Sequence, residues 1–274
     1  MFKEIEKYAE YEWNKRKNRE KEKCFNYKSS EFLKNPALIF GRLIPYPDDS
    51  DGKDSPDNKQ ECLELVVGEM EKLNEEINNR GFSIAARYGY AVKGLETYGF
   101  KTRNLQLSLL WRIIVGLGAS HPQETSMTLH HIYGIPYIPG SAVKGITRHW
   151  VILNKFNNDE QKALKNEEFK EIFGTQEKEG EVIFFDAYTC GKIKLVIDIM
   201  NPHYSKYYSG LESPTDYQSP NPIKFLALEK TKFNFYVASK NKKLLSIALD
   251  YLKEALLQHG IGAKTSIGYG FFKV

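Results

Sequence analysis

Apolar residues recur every three or four positions in several stretches of this chain and alternate or cluster in short runs elsewhere. Phe2, Ile5, Tyr8, Ala9 and Trp13 form a stripe within mixed charge, predicting an exposed helical extension over residues 1–28. Leu63, Val66, Val67, Met70, Leu73 and Ile77 predict a helix ending at Arg80-Gly81. Val143, Ile146, Thr147 and Trp150 mark the inner face of another, with Ser141 as its expected N-cap. A further helix is expected from about Asp159 to Phe173. Leu244, Ile247, Ala248, Tyr251, Leu252, Ala255 and Leu256 make the clearest stripe of the chain.

Strands are expected at Asn35–Pro45, at Leu105–Val115 as a central strand, at Val182–Ala187 and at Ile193–Ile199. Phe225–Glu229 and Lys232–Ala238 read as a pair joined by a turn at Glu229-Lys-Thr231. Ile135–Pro139 is extended, because each proline disfavours helix in the residue before it. His121–Tyr133 reads as loop, Tyr46–Gln60 as a mobile loop, and residues 200–222 as an insertion without periodicity. The later order of strand, helix, strands, helix, strand predicts an α+β fold. Its expected form is an RRM or ferredoxin-like core over residues 29–274, with helices on one sheet face.

Composition narrows the picture. At 274 residues, with 41% hydrophobic and 13% aromatic content, the chain supports a folded core of one large domain or two small ones. A net charge of +4 is compatible with nucleic acid without requiring it. Cys24, Cys62 and Cys190 are odd in number and widely spaced, so neither a disulfide framework nor a CxxC zinc signature is expected, and a reducing cytoplasm fits. The amino terminus is charged from Lys3 onward and lacks the apolar run of a signal peptide. Arg112 interrupts the longest apolar stretch, Leu105–Ala119, so no membrane span is expected. His121, His130 and His131 have no second ligand set at zinc spacing, and no metal or other cofactor is expected.

Chemistry concentrates near the end, in Gly260-Ile-Gly-Ala-Lys-Thr-Ser-Ile-Gly-Tyr-Gly270. Glycine lets backbone N–H groups approach an anion closely and adopts positive φ without a Cβ penalty. Lys264 adds positive charge, and Thr265 and Ser266 add donors, which makes a phosphate cradle. A nucleotide-binding P-loop follows a strand, opens a helix and spaces its residues as GxxxxGK[ST]. Here a helix comes before and a strand after. On the residues alone, a plain glycine-rich turn into a last strand is an equal reading.

Several segments together resemble the RAMP superfamily of CRISPR proteins. They are Gly116–Thr125 with Thr128-Leu-His130, Tyr133–Gly145 with its Ile-Pro-Gly-Ser run, Lys144 and then Arg148, and the terminal glycine loop. Phe184-Phe-Asp-Ala187, Asp198-Ile-Met-Asn-Pro-His-Tyr204 and Tyr207-Tyr208 make the chain most similar to the sixth-subunit family of Cmr-type (type III-B) RNA-guided effectors. The likeness runs from about residue 100 to the end.

The resemblance implies an RRM-like core that holds CRISPR guide RNA toward its 3′ end in a cytoplasmic multi-subunit complex. It implies a non-catalytic role, because the repeating backbone subunits supply the aspartate that cuts target RNA. The implied partners are the guide RNA with its target duplex, the backbone RAMP subunit, the small helical subunit and the other 3′-end RAMP subunit. The implied RNA-binding residues are Gly140, Ser141, Lys144 and Arg148 at a helix start, Gly262, Lys264, Thr265, Ser266 and Gly268 in the loop, and His203 and Tyr204 in the insertion. If the helix start and the loop lie together, they form one anion-binding groove.

Physical chemistry permits each role. Lys144 and Arg148 are four apart on one helix face and can neutralise adjoining phosphates. His203, Tyr204, Tyr207 and Tyr208 can stack on bases. Other readings stand beside these: Lys144 and Arg148 as ordinary surface charges, and the tyrosines as a subunit contact. A metal-independent CRISPR-RNA-processing endoribonuclease of the same superfamily would use His121, His130, Tyr133 and Lys144 as acid–base and charge-stabilising groups. A purely structural bridge between protein subunits is the remaining alternative.

Overall fold

The computed structural model describes residues 35–43, 56–79, 84–121, 124–201, 210, 213 and 222–274. The expected helical extension, the loop over residues 46–55, and nearly all of the 200–222 insertion, His203 and Tyr204 included, lie outside the described residues.

Asn35-Pro36 opens a helix where a strand was expected. The Asn35 side chain accepts from the N–H groups of Ala37 (2.9 Å) and Leu38 (3.2 Å), and Pro36 fills the first helical position. Helix α1 (Pro36–Leu38) continues as a π-helical turn, Ile39–Leu43. Helix α2 spans Pro56–Asn79, so residues 56–60 belong to it rather than to the predicted loop. Leu63, Val66 and Met70 are buried along its inner stripe, and Asn74 exchanges two hydrogen bonds with the backbone of Ile193 (2.7 and 2.9 Å). Helix α3 (Ile84–Gly94) follows, then a 3-10 turn at Leu95–Tyr98.

The strands are β1 (Lys101–Leu109), β2 (Arg112–Ile113), β3 (Tyr137–Ile138), β4 (Val182–Phe184), β5 (Ala187–Cys190), β6 (Lys194–Met200), β7 (Ile223–Glu229), β8 (Lys232–Ser239) and β9 (Phe272–Lys273). The larger sheet runs β3-β5-β8-β1-β9, with β4 also paired to β8, and the smaller sheet runs β2-β7-β6. Every strand pair is antiparallel.

Two expectations change here. The single strand over Leu105–Val115 breaks at Leu110-Trp111, where the chain leaves the larger sheet and enters the smaller one. The expected pairing of Phe225–Glu229 with Lys232–Ala238 does not form, because β7 and β8 lie in different sheets. Lys230 takes φ +49°, and the Thr231 hydroxyl donates to the Glu229 carbonyl (2.9 Å) while Leu109 N–H donates to Thr231 O (3.0 Å). Both chains therefore turn the same corner, as strands do when they switch sheets.

Helices α4 (Gly140–Phe156) and α7 (Lys242–Gln258) pack against each other and cover the larger sheet. Phe233, Phe235 and Val237 of β8 are fully buried in that core, with Leu107 and Phe272. The intervening Tyr236 points to the other face, where α3 packs and Tyr88 meets Tyr188 at 4.7 Å and Tyr236 at 6.2 Å. Helices thus cover both faces, not one. The segment expected as one helix to Phe173 is two, α5 (Glu160–Lys165) and α6 (Glu167–Phe173). Asn166 stops the first and caps the second through Phe169 N–H (2.9 Å).

Candidate functional site

The glycine loop leaves α7 at His259 and is fastened along β2. Ala263 N–H donates to Ile114 O (2.8 Å), Gly270 N–H to Arg112 O (2.7 Å), and Ile261 N–H to Gly270 O (2.9 Å). With both ends pinned, the middle projects as a left-handed Lys264 (φ +62°) followed by a 3-10 turn at Thr265–Ile267. Among the described residues, the N–H groups of Lys264, Thr265 and Ser266 donate to no acceptor. Successive N–H groups after a left-handed residue form a concavity suited to an anion. Ser266 is exposed and Thr265 half-buried beside it, while the Lys264 ammonium lies 5.7 Å from the Phe225 ring centroid.

Under the loop sits a charged network that composition alone does not reveal. Asp198 accepts from Arg112 Nη1 and from the Tyr269 hydroxyl, both at 2.5 Å, and Arg112 Nε reaches Glu229 at 3.4 Å. Lys194 also pairs with Glu229. Burial pushes the Asp198 carboxyl up, but hydrogen bonds from Tyr269, Ile199 N–H and Arg112 outweigh it and hold the group below its ordinary value. Lys194 lowers Glu229 first, against burial, and Arg112 adds to the effect. Burial, then Asp198, pushes the Tyr269 hydroxyl up to about 12.

The helix start is built differently. Proline 139 stands at the N-cap position without a side-chain bond, and Ser141 is an exposed residue inside the helix rather than its cap. Capping comes from 46 residues downstream: Asp186 Oδ1 accepts from Gly140 N–H at 2.7 Å. The break between β4 and β5 lets Asp186 reach it, and a Cβ at position 140 would stand 2.6 Å from the Phe184 carbonyl. Lys144 lines a cleft of about 530 Å³ with Phe173, Thr175, Gly180 and Phe184. Arg148 pairs with Glu160 (2.6 Å) and lies 5.3 Å from the Phe169 ring.

These two groups of residues face different neighbours. Those of Lys144 and Arg148 come from residues 160–184, whereas the loop rests on residues 110–114 and 225. The helix meets the beginning of the loop at His149, whose ring is 5.1 Å from that of His259. Lys144 and Arg148 point roughly 100–140° around the helix from His149.

The histidines of the nuclease alternative make local packing and backbone contacts. His121 Nε2 bonds the Phe40 carbonyl (2.9 Å) and its ring stacks on Phe40 at 4.2 Å. His130 Nδ1 accepts from the N–H groups of Ile132 and Tyr133 (both 3.3 Å), and burial, with His131 adding, lowers its pKa. No group of His, Cys, Asp or Glu side chains among the described residues is arranged to hold a metal ion. No helix among them is long and apolar enough to cross a membrane.

That Trp111, Arg112 and Asp198 gather around Tyr269 of the loop is not written in local sequence. The one local signal was Arg112 interrupting an apolar run.

A model of the RAMP superfamily matches residues 106–273. The chain belongs to the RAMP superfamily. This RAMP protein is 37% identical to the CRISPR system Cmr subunit Cmr6 of Pyrococcus furiosus, across 58% of the chain and 64% of that relative. The match thus spans just under two thirds of the Pyrococcus protein's length. It is 24% identical to the Cmr6 subunit of Saccharolobus solfataricus, across 90% of the chain and 82% of the relative. A chain in the cryo-EM structure of the type III-B Cmr-beta complex bound to cognate target RNA superposes with a TM-score of 0.64. That match has 26% identity and covers 87% of this chain and 79% of the other.

Proposed function

We propose that this RAMP protein is a non-catalytic, RNA-holding subunit of a type III-B Cmr effector in the cytoplasm. It would grip the guide RNA toward its 3′ end beside the backbone RAMP subunit, the small helical subunit and the other 3′-end RAMP subunit. Its similarity to Cmr6 subunits supports membership of such a complex. The strand order β9-β1-β8-β5, linked through α4 and α7, supports an RRM or ferredoxin-like core.

The observation that carries the RNA reading is the projecting Lys264–Ser266 turn, which offers three N–H groups, two hydroxyls and a cation. A guide leaves sequence reading to base pairing, so its holder needs only contacts to the backbone. Gly262 and Gly268 bracket that turn. Ser141 and Lys144 supply a second, separate phosphate contact, while the Gly140 N–H and the Arg148 guanidinium are engaged by Asp186 and Glu160. His203 and Tyr204 belong to the proposed site through the family resemblance alone.

Lys264→Ala combined with Lys144→Ala is expected to weaken guide retention and its salt dependence while leaving the melting temperature unchanged. Each lost phosphate contact lowers the logarithmic salt slope by about 0.7 for single-stranded RNA. Filter binding across a salt series measures it, and an unchanged slope sinks the RNA reading. Asp186→Asn, in an assembled complex, is expected to leave target cutting intact, since Asp186 caps a helix and its replacement keeps an acceptor. Loss of cutting with normal assembly would place catalysis in this subunit.

A further inference from the structure

Where β1 passes into β2, three large apolar side chains stand in solvent at one lip: Leu110 (59% exposed), Trp111 (46%) and, across from them on the glycine loop, Ile267 (63%). The lip is held together by Leu110 N–H donating to Phe271 O (2.9 Å) and by Gly268 lying against the indole of Trp111. Single exposed apolar residues are ordinary, but a cluster of them beside a polar turn marks a binding surface.

Trp111 is also held in place. The Tyr269 ring lies 4.7 Å away at 52°, and the Arg112 guanidinium sits 5.3 Å from the indole centroid. Both supports are tied to Asp198, so the indole is braced by a hydrogen-bonded network while nearly half of the residue stays open to solvent. A braced, exposed aromatic loses little conformational freedom when a second flat group lies on it.

We infer that Trp111 is a base-stacking platform for the same ribose-phosphate strand that the Lys264–Ser266 turn grips. An unpaired base lies on the indole, and Leu110 and Ile267 flank it. This rests on the RNA reading of the glycine loop and adds a base contact that the phosphate residues do not supply. Local charge favours RNA over a protein partner. Asp198 and Glu229 are paired with Arg112 and Lys194, and Lys264 adds a positive charge at the start of the turn that carries Ile267. Because every base has a π-face, the platform takes any base, which suits a strand whose sequence changes.

The test uses the full chain and an oligouridylate RNA, with binding measured across a salt series. Trp111→Leu keeps an apolar side chain but removes the ring, and is expected to lose about 5- to 150-fold in affinity with an unchanged salt slope. Trp111→Phe retains most of the affinity. Lys264→Ala provides the contrast, because it changes the slope.

If Trp111→Leu binds like the parent while Lys264→Ala still lowers the slope, the platform is wrong and the RNA reading survives. If neither substitution matters, or the parent chain does not bind RNA, both fall. If Trp111→Leu spares RNA binding but abolishes co-purification of another subunit, the lip is a protein contact and the inference is overturned.

Discussion

Gly270→Ala is expected to cost about 2–5 kcal/mol of stability and to weaken RNA retention. Gly270 has φ +76°, and a Cβ there would stand 1.9 Å from the Ile261 carbonyl oxygen and 2.9 Å from its carbon. Neither is the end of a flexible side chain, so the backbone itself must move. The left-handed conformation alone costs an L-residue about 1–2 kcal/mol. Forcing an extra methyl into a packed site adds about 1–3 kcal/mol.

Movement also breaks fastenings on both sides, since Gly270 donates to Arg112 O and accepts from Ile261 N–H. Gly268→Ala is the control. Its φ is +100°, but the nearest atom to its Cβ is a Trp111 ring carbon at 4.0 Å, so only the conformational cost applies. Denaturant midpoints of the two variants measure the difference. Equal losses would mean that Gly270 is not pinned between Ile261 and Arg112.

Asp198→Ala is expected to cost about 2–3 kcal/mol, measured by denaturant unfolding at neutral pH. It removes the acceptor shared by Arg112 and Tyr269 and leaves Arg112 with its longer contact to Glu229. The full penalty for breaking a buried pair is larger, but Arg112 and Asp198 keep 24% and 18% of their side chains in solvent, which screens part of the loss. Asp198→Asn, which keeps a carbonyl oxygen, costs less. A loss below about 0.5 kcal/mol for Asp198→Ala would mean that the network does not brace the loop.

The same network sets a pH window. Asp198 and Glu229 are both held below their ordinary values, so the stability they contribute is complete above the unfolded pKa, about 4. It is lost as pH falls through the lower folded values. Tyr269 acts at the other end: its hydroxyl is raised to about 12, so its contribution is complete below the unfolded pKa, about 10, and is lost as pH rises from there through about 12. Asp198→Ala should flatten both limbs of the stability profile. An unaltered acid limb would assign acid sensitivity to other carboxylates.

How much of this was legible beforehand differs by element. The stripe from Leu244 to Leu256 corresponds to α7, and the stripe from Leu63 to Ile77 lies within α2, because helical faces repeat locally. The residue types of the proposed phosphate cradle stand in the sequence itself, since glycine, lysine and hydroxyls bring the same donors and charge wherever they are placed. Asn35–Pro45 was misread because its apolar residues outweighed the Asn-Pro start signal.

The chain order by itself settled which residues are apolar on which helical face, where glycine frees the backbone, and the family to which the protein belongs. Tertiary structure alone decided that β7 and β8 enter different sheets, that Asp186 caps α4, and that Lys144 and Arg148 turn toward residues 160–184 rather than toward the glycine loop. The reason is one of range. Helical and strand periodicities are written within a few residues, whereas a strand's partner, a distant cap and the direction of a cation depend on groups dozens of residues away.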